Sequence, residues 1–288
     1  TFGRHFGHGH ELRLLSVRDN GSVHGIAPLM LKDGVLGFLG GDDLVDYHDF
    51  LVPEGNEAAF YGALFDYLPA LEWHTLELTS LPGKSKALTH VPRYAEYKGY
   101  AVEVQEEDMA PIARLPSTWD EYVGGLSRKR RHELRRKLRR LENVDRSRQF
   151  ACKDPESISG YIQDFFRLLR ASGEDKAAFL TPQRERFFRD IALDLAERGQ
   201  FKLYFLEIAG VLVASCACFD YSGSYLLYNS GYDPAYSSLS VGLINKALCI
   251  REAIEEGRRS FDFLRGSERY KYDLGGNYRA LYQMVVRR

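Results

Sequence analysis

Apolar and polar positions alternate over residues 11–18, predicting a β-strand closed by a turn at Asp19-Asn20-Gly21, where asparagine and glycine accept positive φ at little cost. Strands follow at 23–31 and 35–39. Beyond an acidic loop and a short apolar run, residues 58–68 change to a helical period, with Phe60, Leu64 and Leu68 four apart, and residues 73–78 alternate again. The second half repeats this order. Ile158, Tyr161, Ile162, Phe165, Leu168 and Leu169 make the apolar stripe of one helix, and Thr181-Pro182 supplies the N-cap and first-turn proline of the next, which Gly199 closes. Strands at 201–208, 211–219 and 225–229, joined by turns at Ala209-Gly210 and Ser222-Gly223, lead to a helix over 239–256. A short strand at 261–264 and a last one at 278–286 complete the pattern.

Each half therefore carries a strand hairpin, a third strand, a helix and a further strand. Two copies at a period far too long for a solenoid predict a duplicated α+β domain, each copy a mixed sheet flanked by helices. The expected boundary lies in Glu106-Glu107-Asp108, giving domains 1–105 and 106–288.

Length agrees, since 288 residues exceed what one core usually fills. With 39 basic and 40 acidic residues the formal net charge is −1, which argues against a protein that coats nucleic acid but leaves local patches open. Cys152, Cys216, Cys218 and Cys249 form no paired CxxC motif, so they read as small buried hydrophobes in a reducing cytoplasm, and no metal site is expected from them. No apolar run approaches a membrane span and no secretory signal is visible. The first residue is Thr1 rather than methionine, so an N-terminal piece is expected outside this sequence.

Chemistry concentrates late in the chain. The segment Ser237-Ser238-Leu239-Ser240-Val241-Gly242-Leu243 lies between a strand and a helix start, where unpaired amides and partial positive charge can hold a phosphate. Serines before a helix also serve as plain caps. Downstream, Phe261 and Phe263 share one face of a strand while Asp262 and Leu264 share the other. Asp262 can pair with Arg265 as a buried ion pair or face a substrate. Glu268 reads as a general base or as an exposed loop carboxylate, and Lys271 as a site cation or a surface lysine.

The run Gly231-Tyr232-Asp233-Pro234, then Ser240-Val241-Gly242, then Phe261-Asp262-Phe263-Leu264-Arg265-Gly266-Ser267-Glu268-Arg269-Tyr270-Lys271 closely resembles the CelD/BcsL-like branch of the GNAT superfamily. That branch is related to the FemAB aminoacyltransferases, which carry two GNAT-like halves. The resemblance covers about residues 106–288 and is weaker before them, at Gly25-Ile26-Ala27-Pro28-Leu29. It implies a cofactor pyrophosphate at Ser238, Ser240, Val241 and Gly242, and an acyl-CoA donor, acetyl-CoA being the plainest. Tyr270-Lys271 before Leu274-Gly275 resembles the aromatic-Lys-x-x-aromatic-Gly element of the FemAB relatives, which implies that Lys271 steadies the developing oxyanion. Leu274 stands where an aromatic residue is usual. A preplaced cation can contribute on the order of 3 kcal/mol to such a transition state. Tyr270 or Tyr272 is the implied proton donor to a departing thiolate.

Residues 127–141 form a very basic helix in which Leu134, Leu138 and Leu141 make a narrow stripe and Ser127 caps the start. One turn back, Arg130 and Arg131 fall beside the buried face, where a cation is costly unless it meets an anion, so one of them is expected to bind a phosphate or carboxylate. In the first half, Asp42, Asp43, Asp46 and Asp49 occupy the loop equivalent to the phosphate loop and would repel phosphate. Asp46 and His48 are instead candidates for an amine or sugar acceptor, His48 taking its proton. His5, His8 and His10 are terminal histidines of the kind that seldom form a defined metal site.

The chain is thus expected to be an acyl-CoA-dependent N- or O-acyltransferase with a degenerate, acceptor-side first domain. Its acceptor would be a small molecule or cell-envelope precursor. The alternatives are a FemAB-like transferase using aminoacyl-tRNA and a non-catalytic ligand- or RNA-binding protein.

Overall fold

In the computed structural model, which describes residues 1–7, 9–41 and 43–288, Asn20 and Gly21 adopt φ of 46° and 83° and fold β1 (Glu11–Asp19) back on β2 (Ser22–Lys32). The pairs Ala209-Gly210 and Ser222-Gly223 do the same in the second half, at φ of 49° and 84°, and 50° and 77°. Left-handed turns of this kind match the twist of the strands they join, which is why they set the register of each hairpin.

The first compact unit comprises Phe2–Ala110 and Arg279–Arg288. After α1 (Phe2–Phe6), β1 and β2 come β3 (Val35–Phe38), α2 (Glu57–Tyr67), β4 (Thr75–Pro82), α3 (Ala87–Tyr97) and β5 (Ala101–Met109). Its sheet order is β1-β2-β3-β4-β12-β5, where β12 is Ala280–Arg287 and β3 and β4 are parallel. Phe60, Phe65, Leu76, Leu78 and Val91 are buried in its core.

The second unit, Pro111–Tyr278, contains β6 (Ile112–Arg114), α4 (Trp119–Gly125), α5 (Arg128–Glu142), β7 (Ser147–Cys152), α6 (Pro155–Ala171), α7 (Glu174–Phe179) and α8 (Pro182–Ala196). Then follow β8 (Phe201–Ile208), β9 (Val211–Tyr221), β10 (Ser224–Tyr232), a short 3-10 turn, α9 (Val241–Glu255), β11 (Ser260–Asp262) and α10 (Arg269–Asp273). The sheet runs β6-β11-β10-β9-β8-β7. The caps read from sequence form as hydrogen bonds: Thr181 accepts from the Arg184 amide at 3.3 Å and Ser127 from Arg130 at 3.5 Å. Helix α9 carries Val241, Ile244, Ile250 and Ile254 inward, each burial contributing roughly 1.5–3 kcal/mol before conformational entropy is subtracted. Gly231 is required by packing, because a Cβ there would lie 2.4 Å from the Leu168 carbonyl carbon and the Leu169 amide nitrogen of α6.

One expected strand lies elsewhere. The segment read as the last strand of the second domain is β12 (Ala280–Arg287), which inserts between β4 and β5 of the first sheet. It carries Met284 and Val286 into the first core, and the first unit extends to Ala110 rather than ending at 105. Periodicity shows that a strand forms but not which sheet has an open edge for it.

Candidate functional site

The site is built where two parallel strands part. β10 and β11 pair only at Ser224–Leu226 against Ser260–Asp262. Beyond this, β10 continues to Tyr232 paired with β9 alone, after a register shift between Leu227 and Asn229. A bulge adds local twist, so the strand leaves β11 and opens a V. β11 ends where the Asp262 carboxylate accepts a 2.9 Å hydrogen bond from the Leu264 amide. That bond holds Leu264 in the left-handed region, φ 56°. Asp262 is 4% exposed and works on its own backbone.

Lys271, on α10, closes the same loop. It is 1% exposed, and its Nζ donates to the carbonyls of Leu264 (3.0 Å), Arg265 and Gly266 (3.2 Å), with the Glu268 carboxylate at 2.9 Å. An ammonium has three protons, and three carbonyls meet them. The expected oxyanion role would require one of these bonds to be given up. Glu268 is exposed, and its carboxylate is ion-paired to this lysine. Arg265 is half-buried and contributes its carbonyl.

Tyr270 is half-buried against the same core, and its hydroxyl is pushed well above the usual tyrosine range by burial first, then by the charges of Glu268 and Cys216. Such a hydroxyl keeps its proton, which suits it to donate a hydrogen bond and disfavours surrender of the proton to a thiolate. Tyr272 lines a cavity of about 320 Å³ together with Arg130, Lys137, Leu243, Arg269 and Leu274.

At the mouth of the V, Ser240 adopts φ 59° and ψ 36° and starts α9. Its carbonyl takes the Leu243 and Ile244 amides, while those of Val241 and Gly242 meet no acceptor among the described residues. Lys137 of α5 donates to Ser240 Oγ at 3.0 Å, and Arg140 donates to the Ser238 carbonyl at 2.7 Å. A lysine beside a helix N-terminus sets like charges together, an arrangement that an intervening anion relieves. Glu133, lowered to about 2 by its hydrogen bond from Arg136 and then by the charges of Arg136 and Lys137, offsets part of this charge.

The two candidate arginines separate. Arg130 faces the cavity, 3.9 Å from Asp273. Arg131 donates to the carbonyls of Gly124 (2.8 Å) and Leu126 (3.3 Å), capping α4. Lys137, Lys246 and Lys176 were not among the residues expected from sequence. Lys137 lies seven residues after Arg130, on the same helical face, and that spacing was the available signal. Lys246 lies one turn after Gly242 on α9.

In the first unit, His48 is 6% exposed and its ring stacks on Phe38 at 5.4 Å, so burial withholds it from the acceptor role expected of it. Asp46 is half-buried in the same loop. Asp49 accepts from Ser85 Oγ and from the Phe50 amide, each at 2.8 Å, with its carboxyl raised by burial. Asp42 and His8 lie outside the described residues. Among the described residues no group of three or more metal-ligating side chains occurs, and no helix is long and apolar enough to cross a membrane.

The acetyltransferase (GNAT) domain family matches residues 128–272, which span the basic helix, the splayed strands and Lys271. The chain belongs to the GNAT acetyltransferases. It is accordingly an acyltransferase, and each of its two units is a mixed sheet flanked by helices. Among solved structures, FemX matches with a TM-score of 0.68 at 13% identity, over 96% of this chain and 88% of that one. The C-terminal domain of a putative lysylphosphatidylglycerol synthetase from Agrobacterium fabrum matches at 0.65 and 10%, over 96% and 83%. A conserved protein of unknown function from Bacteroides thetaiotaomicron matches at 0.61 and 10%, over 97% and 86%. At such identities the likeness concerns the fold. No curated protein matches the sequence.

Proposed function

We propose that this GNAT protein transfers an acyl group from an acyl-CoA, acetyl-CoA being the simplest, directly to an amine or hydroxyl acceptor. The observation that carries the reading is the parting of β10 from β11 after three paired residues, together with two amides at the start of α9 that meet no acceptor among the described residues. The donor's pyrophosphate meets the Val241 and Gly242 amides, with the Ser238 and Ser240 segment and Lys137 around it. Arg130 faces the adjoining cavity and takes a further phosphate of the donor. The acyl arm enters the V.

The acceptor's lone pair attacks the thioester carbonyl, the C–S bond breaks, the thiolate leaves with a hydrogen bond from Tyr270, and the proton the acceptor loses passes through solvent to the thiolate. Lys271 acts as a positioning residue, fixing the three carbonyls that form one arm of the V. A cell-envelope precursor as acceptor rests on the CelD/BcsL-like motif run and not on the geometry.

One observation favours a second reading. Helix α5 holds nine basic residues against two acidic ones in a chain whose net charge is −1, and an open groove of about 1420 Å³ runs along it. An aminoacyl-tRNA donor would use that surface. Calorimetry separates the two: acetyl-CoA should bind saturably and be consumed with an amine panel. Failure of CoA to bind, together with tRNA binding that weakens steeply with salt, would replace the first reading by the second.

A further inference from the structure

Two more lysines reach the V. Lys246 of α9 is 7% exposed, its Nζ donating to its own helix at the Gly242 carbonyl (3.1 Å) and lying 4.6 Å from the centre of the Tyr270 ring. Lys176 of α7 is half-buried and donates to the Ser230 carbonyl at 2.6 Å, on the stretch of β10 that has left β11. Neither has a carboxylate within ion-pair distance among the described residues. Glu268, whose charge acts on Lys176, is ion-paired to Lys271.

Among the described residues each amine donates one hydrogen bond, to a carbonyl, and both lie about one strand pair: Ser230, which holds Lys176, is paired with Cys216, to whose Sγ Asn245, next to Lys246, donates at 3.4 Å. Burial first, then the Lys246 charge, lowers Lys176 to about 8, against smaller opposite pulls from Cys216 on β9 and Glu268. Desolvated like charges are costly, and a protein carries them where an anion completes the set. The Ser230 carbonyl and the Tyr270 ring place this pair inside the V, apart from the α9 amides and Lys137 at its mouth.

We propose that Lys176 and Lys246 form a subsite for a carboxylate carried into the V by one of the two substrates, either at the far end of the transferred acyl chain or on the acceptor. The inference rests on the acyl-CoA reading and narrows it to anionic groups. A ligand carboxylate there would accept from both amines.

Calorimetry of the full chain with acetyl-CoA and with succinyl-CoA tests the donor source. If the acyl chain carries the carboxylate, succinyl-CoA binds about tenfold tighter, the effect of one charge-assisted contact. The preference disappears in Lys246→Met and in Lys176→Gln while acetyl-CoA binding stays. If the acceptor carries it, the two donors bind alike, and free succinate binds the CoA-saturated protein but not the variants. Should either variant unfold, the other serves. Equal donor affinities together with no succinate binding overturn the proposal. A protein that binds no CoA at all, yet binds succinate through these lysines, keeps the subsite and removes the donor reading.

Discussion

Replacing Lys271 with methionine removes the ammonium but keeps most of its volume. The Leu264 carbonyl is then left buried without a donor, and those of Arg265 and Gly266 are left partly covered. An unsatisfied buried carbonyl costs about 1–3 kcal/mol and a partly solvated one less, so the three together cost roughly 3 kcal/mol. Glu268 is released, but at 56% side-chain exposure it returns to water at little cost. In a unit of this size the loss lowers the melting temperature by roughly 6–12 °C. Thermal unfolding followed by circular dichroism, alongside donor binding and turnover, measures it. A positioning lysine predicts a lower melting temperature with slowed turnover and nearly unchanged donor affinity, since Val241 and Gly242 lie elsewhere. An unchanged melting temperature with turnover abolished would refute this reasoning and return Lys271 to direct contact with the oxyanion.

Three further outcomes follow. Tyr270→Phe should lower kcat by about 10- to 100-fold, the value of one hydrogen bond to a charged sulfur, and leave the donor dissociation constant unchanged by calorimetry. Lys137→Met should raise that dissociation constant by about tenfold, whereas Arg131→Ala, which loses only the cap on α4, should lower stability and leave binding intact. Acid stability should depend on Glu256. Burial alone would raise its carboxyl, but hydrogen bonds from Lys202 and Tyr225 and the Lys202 charge outweigh this and hold it at about 2. A depressed carboxyl stabilises the fold above its unfolded value near 4.5 and loses that contribution as pH falls through about 2, so Glu256→Gln should flatten urea-denaturation stability across that interval.

Much of the scaffold was legible because local rules decide it. The turns at Asn20-Gly21, Ala209-Gly210 and Ser222-Gly223, the Thr181 and Ser127 caps and the stripe of α6 each depend on neighbours in sequence. The same holds for the helix start at Ser240–Gly242, where a strand, a tight turn and a helix follow one another. What was not legible depends on long-range partners. β12 has the alternation of any strand, and only the open place between β4 and β5 assigns it to the first sheet. Lys271 stands in a recognisable motif, but its engagement by three carbonyls is a consequence of the loop's fold. His48 looks like an accessible base in sequence until the Phe38 ring covers it. Lys176 and Lys246 are 70 residues apart, and only the fold brings one to a carbonyl of β10 and the other over the Tyr270 ring.

The claim on which the account turns is that a phosphate group is held by the first amides of α9. Amide chemical shifts of uniformly nitrogen-15-labelled protein, recorded while CoA is titrated in, report this directly. The account predicts large shifts at Val241 and Gly242 that saturate with the calorimetric affinity and weaken in Lys137→Met. Tight CoA binding with those two resonances unmoved would contradict it.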